Sequence, residues 1–239
     1  MPVRDLLSRV PLQTPKRIVD LGCGPGNSTT VLASRYPDAH LTGMDSSPDM
    51  IEKARAALPH AEFSVEDLMT YTPPHAVDLF FSNAVLHWIR RDERIALIKR
   101  LIETQPSGGV FAFQVPDNLS EPTHVLMREV AAQGPWAETL KDAGRDSFQT
   151  PREIYDELIP VSREVHIFRT EYHHALEGHG AIVEWVKGTG LKPYVDPLGV
   201  EEREAFVGEY LRRLEGAYGR ARDGRVLLPY PRLFVVAVK

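Results

Sequence analysis

In the stretch VDLGCGPGN, four turn-forming residues (Gly22, Gly24, Pro25 and Gly26) stand directly after a short apolar run. Glycines at this spacing strip side chains from a turn, so a polar ligand can meet main-chain N–H groups and the positive end of the following helix. Carboxylates stand at the ends of three successive stretches that read as strands: Asp20, Asp45 and Asp67. Asp45 falls close to the offset of about 20 residues at which an acid grips a ribose diol. Glu66 and Asp67 stand where a carboxylate or a backbone N–H can read an adenine edge. No Lys or Arg lies in the loop to meet phosphate, and no GKS or GKT follows, which excludes a P-loop. Position 27 is Asn where the dinucleotide fingerprint places a third glycine. Alone, the loop fits NAD, FAD, a phosphate or a structural turn. With the three acids it points to a nucleoside that carries a positive centre.

A second set of reactive side chains lies further along. His87 and Trp88 follow the apolar run that ends at Ser82 and Asn83. His87 there could contact a substrate or act as a base, whereas a tryptophan beside it more often belongs to a core. Four histidines, His166, His173, His174 and His179, lie between residues 166 and 179. His173 and His174 are adjacent on an expected strand, so they point to opposite faces. No HExxH spacing occurs either, which argues against a metal site. Trp136, Tyr172, Trp185 and Tyr194 are packing residues by type, although a tyrosine hydroxyl can donate to a carboxylate. Thr189 in GTGLKPY could contribute to a small anion site, and Arg232 precedes the last apolar run. Cys23, the one cysteine, has no visible base or cation to activate it and reads as a small loop residue.

These residues need a scaffold, and the patterning supplies one. RIVDL, HLTGMD, AEFSVED, VDLFFSNAV and VFAFQVP read as five strands alternating with helices, the rhythm of a doubly wound, mostly parallel sheet. SSPDMIEKARAAL opens with a natural cap in Ser47, followed by Pro48 at the first helical position. RDLLSRV places Leu6, Leu7 and Val10 on one face of a short N-terminal helix. After Pro116 the rhythm breaks. REVHIFRTEYHHAL and RLFVVAV read as two more strands, giving about seven. The helical stretches 117–159 and 178–217 are too long for ordinary connections. They are expected to cap the active site within one domain, 1–239. One cysteine leaves no intramolecular disulfide, and a net charge of −5 disfavours a general polyanion binder. With no apolar stretch long enough to span a bilayer, the chain is expected to be a cytoplasmic monomer, with neither a nucleic-acid nor a membrane partner.

The motifs VDLGCGPGNST, GMDSSPDMI, EDL and FSNAVLHWI resemble, in this order, those of class I S-adenosylmethionine-dependent methyltransferases, over about residues 18–116. The resemblance implies a Rossmann-like fold and S-adenosylmethionine as cofactor. Its methionine part and ribose would pass over Gly22–Gly26. Asp45 would hold the ribose hydroxyls, Asp67 with Leu68 would bracket the adenine, and Ser82 to His87 would line the methyl-donor side. Asp20, Cys23, Asn27, Ser46 and Met50 complete the implied cofactor set.

VPDNLSEPTHVLMREVA, YHHALEGHGAIVEWVKGTGLKPY and PRLFVVA extend the likeness, and there the chain resembles the trans-aconitate methyltransferases nearly throughout. That family carries a further segment before DLLSRV which helps cover the cofactor pocket; this chain starts at Met1 and Pro2, where that segment would end. The resemblance implies methylation of one carboxylate of trans-aconitate or a related small polycarboxylate. A carboxylate is already ionised at neutral pH, so the chemistry asks for orientation and removal of water rather than a base. The groups that do not react need cations or donors. The expected substrate contacts are His87, Trp88, Trp136, His174, Trp185, Thr189, Tyr194 and Arg232, with His87 and Asn83 positioning the reacting groups. A phenol or amine substrate, with His87 as base, and a non-catalytic cofactor binder are the alternatives.

Overall fold

Five parallel strands of the computed structural model, which describes residues 1–239, align their carboxyl ends along one sheet edge. β1 (Arg17–Leu21) is flanked on one side by β2 (His40–Asp45) and β3 (Glu62–Val65), and on the other by β4 (Leu79–Asn83) and β5 (Val110–Pro116). These five are parallel. β6 (Glu164–Leu176) and β7 (Val226–Val238) complete the order β3-β2-β1-β4-β5-β7-β6, with β7 antiparallel to β5. The register sets Leu21 beside Met44 and Ser82, Asp45 beside Val65, and Asn83 beside Gln114. The chain turns one way after β1 and the other way at β4, so the loop after β1 sits at the switch point where open α/β sheets bind ligands.

All seven expected strands form. β7, however, starts at Val226, well before the expected RLFVVAV, and runs through Pro229 and Pro231. Pairing with β5 ends at Arg232, so neither proline is asked for an N–H on that side.

Nine α-helices are present. α1 (Pro2–Leu7) packs on β5 and on α2 (Asn27–Arg35), burying Leu6 and Leu7. α3 (Pro48–Ala57) starts at Ser47, whose hydroxyl accepts the Met50 N–H. α4 (Arg91–Thr104) covers the sheet with Ile98, Leu101 and Ile102, which join Phe80, Phe111, Phe113 and Val235 in one apolar core. α5 (Pro122–Gln133) is followed by α6 (Pro151–Leu158), which opens on a reciprocal capping box between Thr150 and Glu153. α7 (His179–Lys187), α8 (Lys192–Val195) and α9 (Val200–Ala217) complete the set. No helix is long and apolar enough to cross a membrane.

The chain divides into two compact units. The first comprises Met1–Pro116, Phe148–Thr170 and Arg232–Lys239; the second comprises Asp117–Ser147 and Glu171–Pro231. The helical stretches expected as a cap were 117–159 and 178–217. Of these, α6 belongs to the first unit, where it packs on α4 and where Arg91 of α4 pairs with Glu153 at 2.6 Å. The second unit has its own core, in which Met127, Trp136, Ile182, Tyr194, Phe206, Tyr210 and Leu228 take part.

Candidate functional site

The loop after β1 turns by left-handed glycines: φ is +68° at Gly22, +54° at Gly24 and +89° at Gly26. Gly22 is constrained twice, because a Cβ there would also lie 2.4 Å from Cγ2 of Val85. A Cβ at Gly24 would meet nothing within 4 Å, so open space adjoins that part of the backbone. The loop is stitched to the end of β2. Cys23 N–H donates to the Met44 carbonyl at 2.8 Å. Gly24 N–H donates to Asp45 Oδ2, and Ser47 N–H to Asp45 Oδ1, each at 2.9 Å. Each Asp45 oxygen keeps acceptor capacity, since a carboxylate offers about four lone-pair sites.

Beneath the loop, Asp20 is fully buried. Its Oδ2 accepts the hydroxyls of Ser28 and Thr29, both at 2.7 Å, tying β1 to the first turn of α2. Its Oδ1 has no partner. Burial pushes the carboxyl up to about 6, against the two hydroxyl bonds, and Asp45 adds a smaller upward push. Burial, with the charges of Asp20 and Asp45, pushes the Cys23 thiol up to about 12, so it stays protonated and is no nucleophile. Asn27 and Ser46 are exposed, and Met50 is half-buried in the first turn of α3.

Two more carboxyl ends complete the edge. Asp67 is exposed, and its Oδ1 accepts the Met69 N–H at 2.9 Å; Leu68 beside it is half-buried against the first unit's core. At the end of β4, Ser82 is fully buried and its hydroxyl has no partner. Asn83 Oδ1 accepts Gln114 Nε2 at 2.6 Å, and Gln114 Oε1 accepts Nη1 of Arg232 at 3.1 Å. Ala84 follows with φ +61°, held by its N–H bond to the Gln114 carbonyl. A non-glycine residue in this region carries strain, which tends to cluster at functional sites. The 3₁₀ turn Leu86–Trp88 buries His87, whose ring centroid lies 4.7 Å from that of Trp88. Trp88 itself is 57% exposed, too open for a core residue. Asn83, His87, Trp88 and Arg232 are thus all first-unit residues.

The other expected contacts belong to the second unit. Trp136 is buried in its core, where the indole donates to the Val130 carbonyl at 2.8 Å and the ring meets Phe206 edge-on. Thr189 is exposed at the end of α7, with Oγ1 3.5 Å from the Val186 carbonyl. Tyr194 is buried and stacks on Phe206. His174, Trp185 and Tyr230 form an aromatic cluster with centroids 4.5 to 6.2 Å apart. The remaining histidines bond locally: His166 to Glu164, His173 to Glu171, and His179 to the Tyr218 carbonyl.

Residues 18–109 match a family model described as a methyltransferase domain. Over the whole chain, the protein is 50% identical to a trans-aconitate 2-methyltransferase of Methylobacterium radiotolerans, covering 92% of that relative. It is 48% identical to one of Rhizobium rhizogenes, covering 93%. The chain belongs to the trans-aconitate 2-methyltransferase family. Among solved structures, this member of the family resembles the YcgJ protein of Bacillus subtilis (TM-score 0.62, 11% identity, 99% and 97% of the two chains). It also resembles phosphoethanolamine N-methyltransferase 2 of Haemonchus contortus in complex with S-adenosylhomocysteine (TM-score 0.57, 16% identity, 100% and 52%). At those identities the likeness speaks for the fold, which is the Rossmann-like class I methyltransferase fold.

Sequence reasoning about this family member did not single out Ser28, Thr29 or Gln114, and named Val85 only within the Ser82 to His87 stretch. The first two follow the glycine loop directly, as hydroxyls able to reach back to Asp20. Gln114 is the lone polar residue inside VFAFQVP, and a polar side chain buried in an apolar strand must find partners. The contact of Val85 with Gly22 carried no signal, because the two stand 63 residues apart.

Proposed function

We propose that this protein transfers the methyl group of S-adenosylmethionine to one carboxylate of trans-aconitate, forming a monomethyl ester. Full-length identity to trans-aconitate 2-methyltransferases carries the reading, because it spans both units rather than the glycine loop alone. The first unit fits the cofactor. Three left-handed glycines bare the backbone, open space adjoins Gly24, and the Asp45 carboxylate is already oriented by two N–H groups. In this reading Asp45 holds the ribose hydroxyls, Gly22 to Gly26 pass under the ribose and methionine part, and Asp67 with Leu68 flank the adenine. Asp20, Cys23, Asn27, Ser46, Met50 and Ser82 shape the same site.

The bound cofactor supplies a methyl group on a positively charged sulfur. The substrate carboxylate is ionised at neutral pH, so no residue needs to remove a proton. The chain's task is to orient it and keep water away. Asn83, fixed by Gln114, and buried His87 position the reacting carboxylate. Arg232, held by the same Gln114, pairs with a carboxylate that does not react. Trp88 shields the site. His174, Trp185, Thr189 and Tyr194 belong to the substrate side, with Trp136 in the same core as Tyr194. The protein works on its small substrate as a cytoplasmic monomer, without a nucleic-acid partner.

The test is a transfer assay read by mass spectrometry, with S-adenosylmethionine and a panel of trans-aconitate, cis-aconitate, citrate, isocitrate and a catechol. The expected outcome is one methyl gained by trans-aconitate, with S-adenosylhomocysteine formed alongside. A methylated catechol and unmodified acids would overturn the reading.

A further inference from the structure

The second unit contains a polar cluster that the sequence motifs did not single out, apart from Tyr194. Asn118, two residues beyond β5, is 2% exposed, and its Oδ1 accepts Nη2 of Arg145 at 2.6 Å. His124, in the first turn of α5, is 7% exposed, with Nδ1 3.2 Å from Oγ1 of the buried Thr123. Tyr194 of α8 is 5% exposed. Two glycines admit the tips of these side chains. A Cβ at Gly144 would stand 2.8 Å from Tyr194 Oη, and one at Gly190 would stand 2.8 Å from His124 Nε2.

Charge gathers at the same place. Arg145 and Arg128 both act on His124, adding to the burial that pushes its imidazole down to about 4. The same two guanidinium groups counter the burial-driven rise of the Tyr194 phenol. His124 is therefore neutral at physiological pH. In the tautomer whose Nδ1 accepts the Thr123 hydroxyl, the ring proton sits on Nε2, ready to donate to an anion. Nε2 of His124, Oη of Tyr194 and Nδ2 of Asn118 make no hydrogen bond within the protein. None of the three atoms is sealed from solvent, so beside two guanidinium groups they are open to an acceptor-only anion.

We propose that Arg145, Asn118, His124 and Tyr194, backed by Arg128, form a carboxylate-binding site within the second unit that takes a small polycarboxylate. This rests on the carboxyl-methylation reading above. Asn118 aims the Arg145 guanidinium, and each of the four side chains can donate to a carboxylate. Such a site takes a polycarboxylate and gives no comparable hold on a neutral phenol or a cationic amine.

The experiment compares wild type with Arg145→Ala, Arg145→Lys and Tyr194→Phe. It reads KM and kcat for trans-aconitate, and S-adenosylhomocysteine affinity by calorimetry. Removing one charge-assisted contact should raise KM about 10- to 100-fold in Arg145→Ala. Arg145→Lys should recover part of the loss, Tyr194→Phe should show a smaller rise, and cofactor affinity should not move in any of them. In parallel, the His124 ring resonances, assigned through His124→Gln, are followed by NMR while tricarballylate is added. They should shift in wild type and stay still in Arg145→Ala. Unchanged KM in both Arg145→Ala and Tyr194→Phe, or cofactor affinity falling in step with KM, would overturn the subsite. If wild type fails to methylate trans-aconitate, the functional reading fails, and the NMR arm judges the subsite alone. Movement of His124 then upholds a polycarboxylate site, and no movement rejects it.

Discussion

Asp45 joins the glycine loop, the end of β2 and the start of α3 through bonds to Gly24 and Ser47. Its remaining lone pairs are assigned to ribose. Asp45→Ala should weaken S-adenosylhomocysteine binding by about 1.5–3 kcal/mol, the usual worth of hydrogen bonds to a charged group. Calorimetry checks this, and unchanged affinity would contradict the assignment. Asp20 and His124 make opposite predictions about pH. His124 sits at about 4 when folded, below its ordinary 6.5. Its contribution is complete above pH 6.5 and is lost as pH falls through 4, so stability rises with pH across that window. Asp20 sits at about 6, above its ordinary 3.8. Its burial costs nothing below 3.8 and costs fully above 6, so stability falls with rising pH. His124→Gln removes the rising component. The wild-type advantage over the variant should therefore grow by on the order of 3 kcal/mol between pH 4 and pH 6.5, measured by urea denaturation.

Among the elements, the β1–α2 turn depends most on single atoms. Gly22→Ala meets two separate penalties: a left-handed backbone worth about 1–2 kcal/mol, and contact with Val85. Val85→Ala should relieve the second penalty and leave the first. The double variant should therefore be more stable than the sum of the single variants implies, by a coupling of about 0.5–3 kcal/mol in a denaturation cycle. Simple additivity would show that Val85 does not restrict the turn. At the end of β4 the strained Ala84 is held by Gln114, the residue that also joins Asn83 to Arg232. One glutamine thus sets the geometry of two proposed substrate contacts. Gln114→Ala should raise KM for trans-aconitate more than it changes cofactor affinity, as kinetics alongside calorimetry would show.

In the whole molecule, each unit has its own apolar core, and β6 and β7 contribute residues to both units. The proposed cofactor contacts all fall in the first unit. Mass action then makes a clear demand: S-adenosylhomocysteine at about 100 times its Kd should stabilise the fold that binds it by about 2.7 kcal/mol. The shift in the thermal midpoint should shrink in Asp45→Ala at the same ligand concentration. An equal shift in both proteins would place the binding elsewhere.

The sequence by itself determined the five parallel strands and the glycine loop. Strands buried on both faces are written as unbroken apolar runs, and turns are punctuated by residues that tolerate φ values others do not. Asp20, Asp45 and Asp67 stand out in the sequence because each closes a stretch that reads as a strand, and the fold places them at or just beside the ends of β1, β2 and β3. Tertiary structure alone decided what these groups touch. Gln114 meets Arg232 across 118 residues, and Arg145 reaches Asn118 across 27. Nothing in the local pattern marks Arg145, Asn118 or His124 as neighbours. Trp88 and Trp136 show the same limit: the first is open and the second packed in a core, because burial follows from which elements meet. Backbone preferences are short-range, so they appear in short stretches of sequence; side-chain partnerships depend on long-range packing and exist only once the chain has folded.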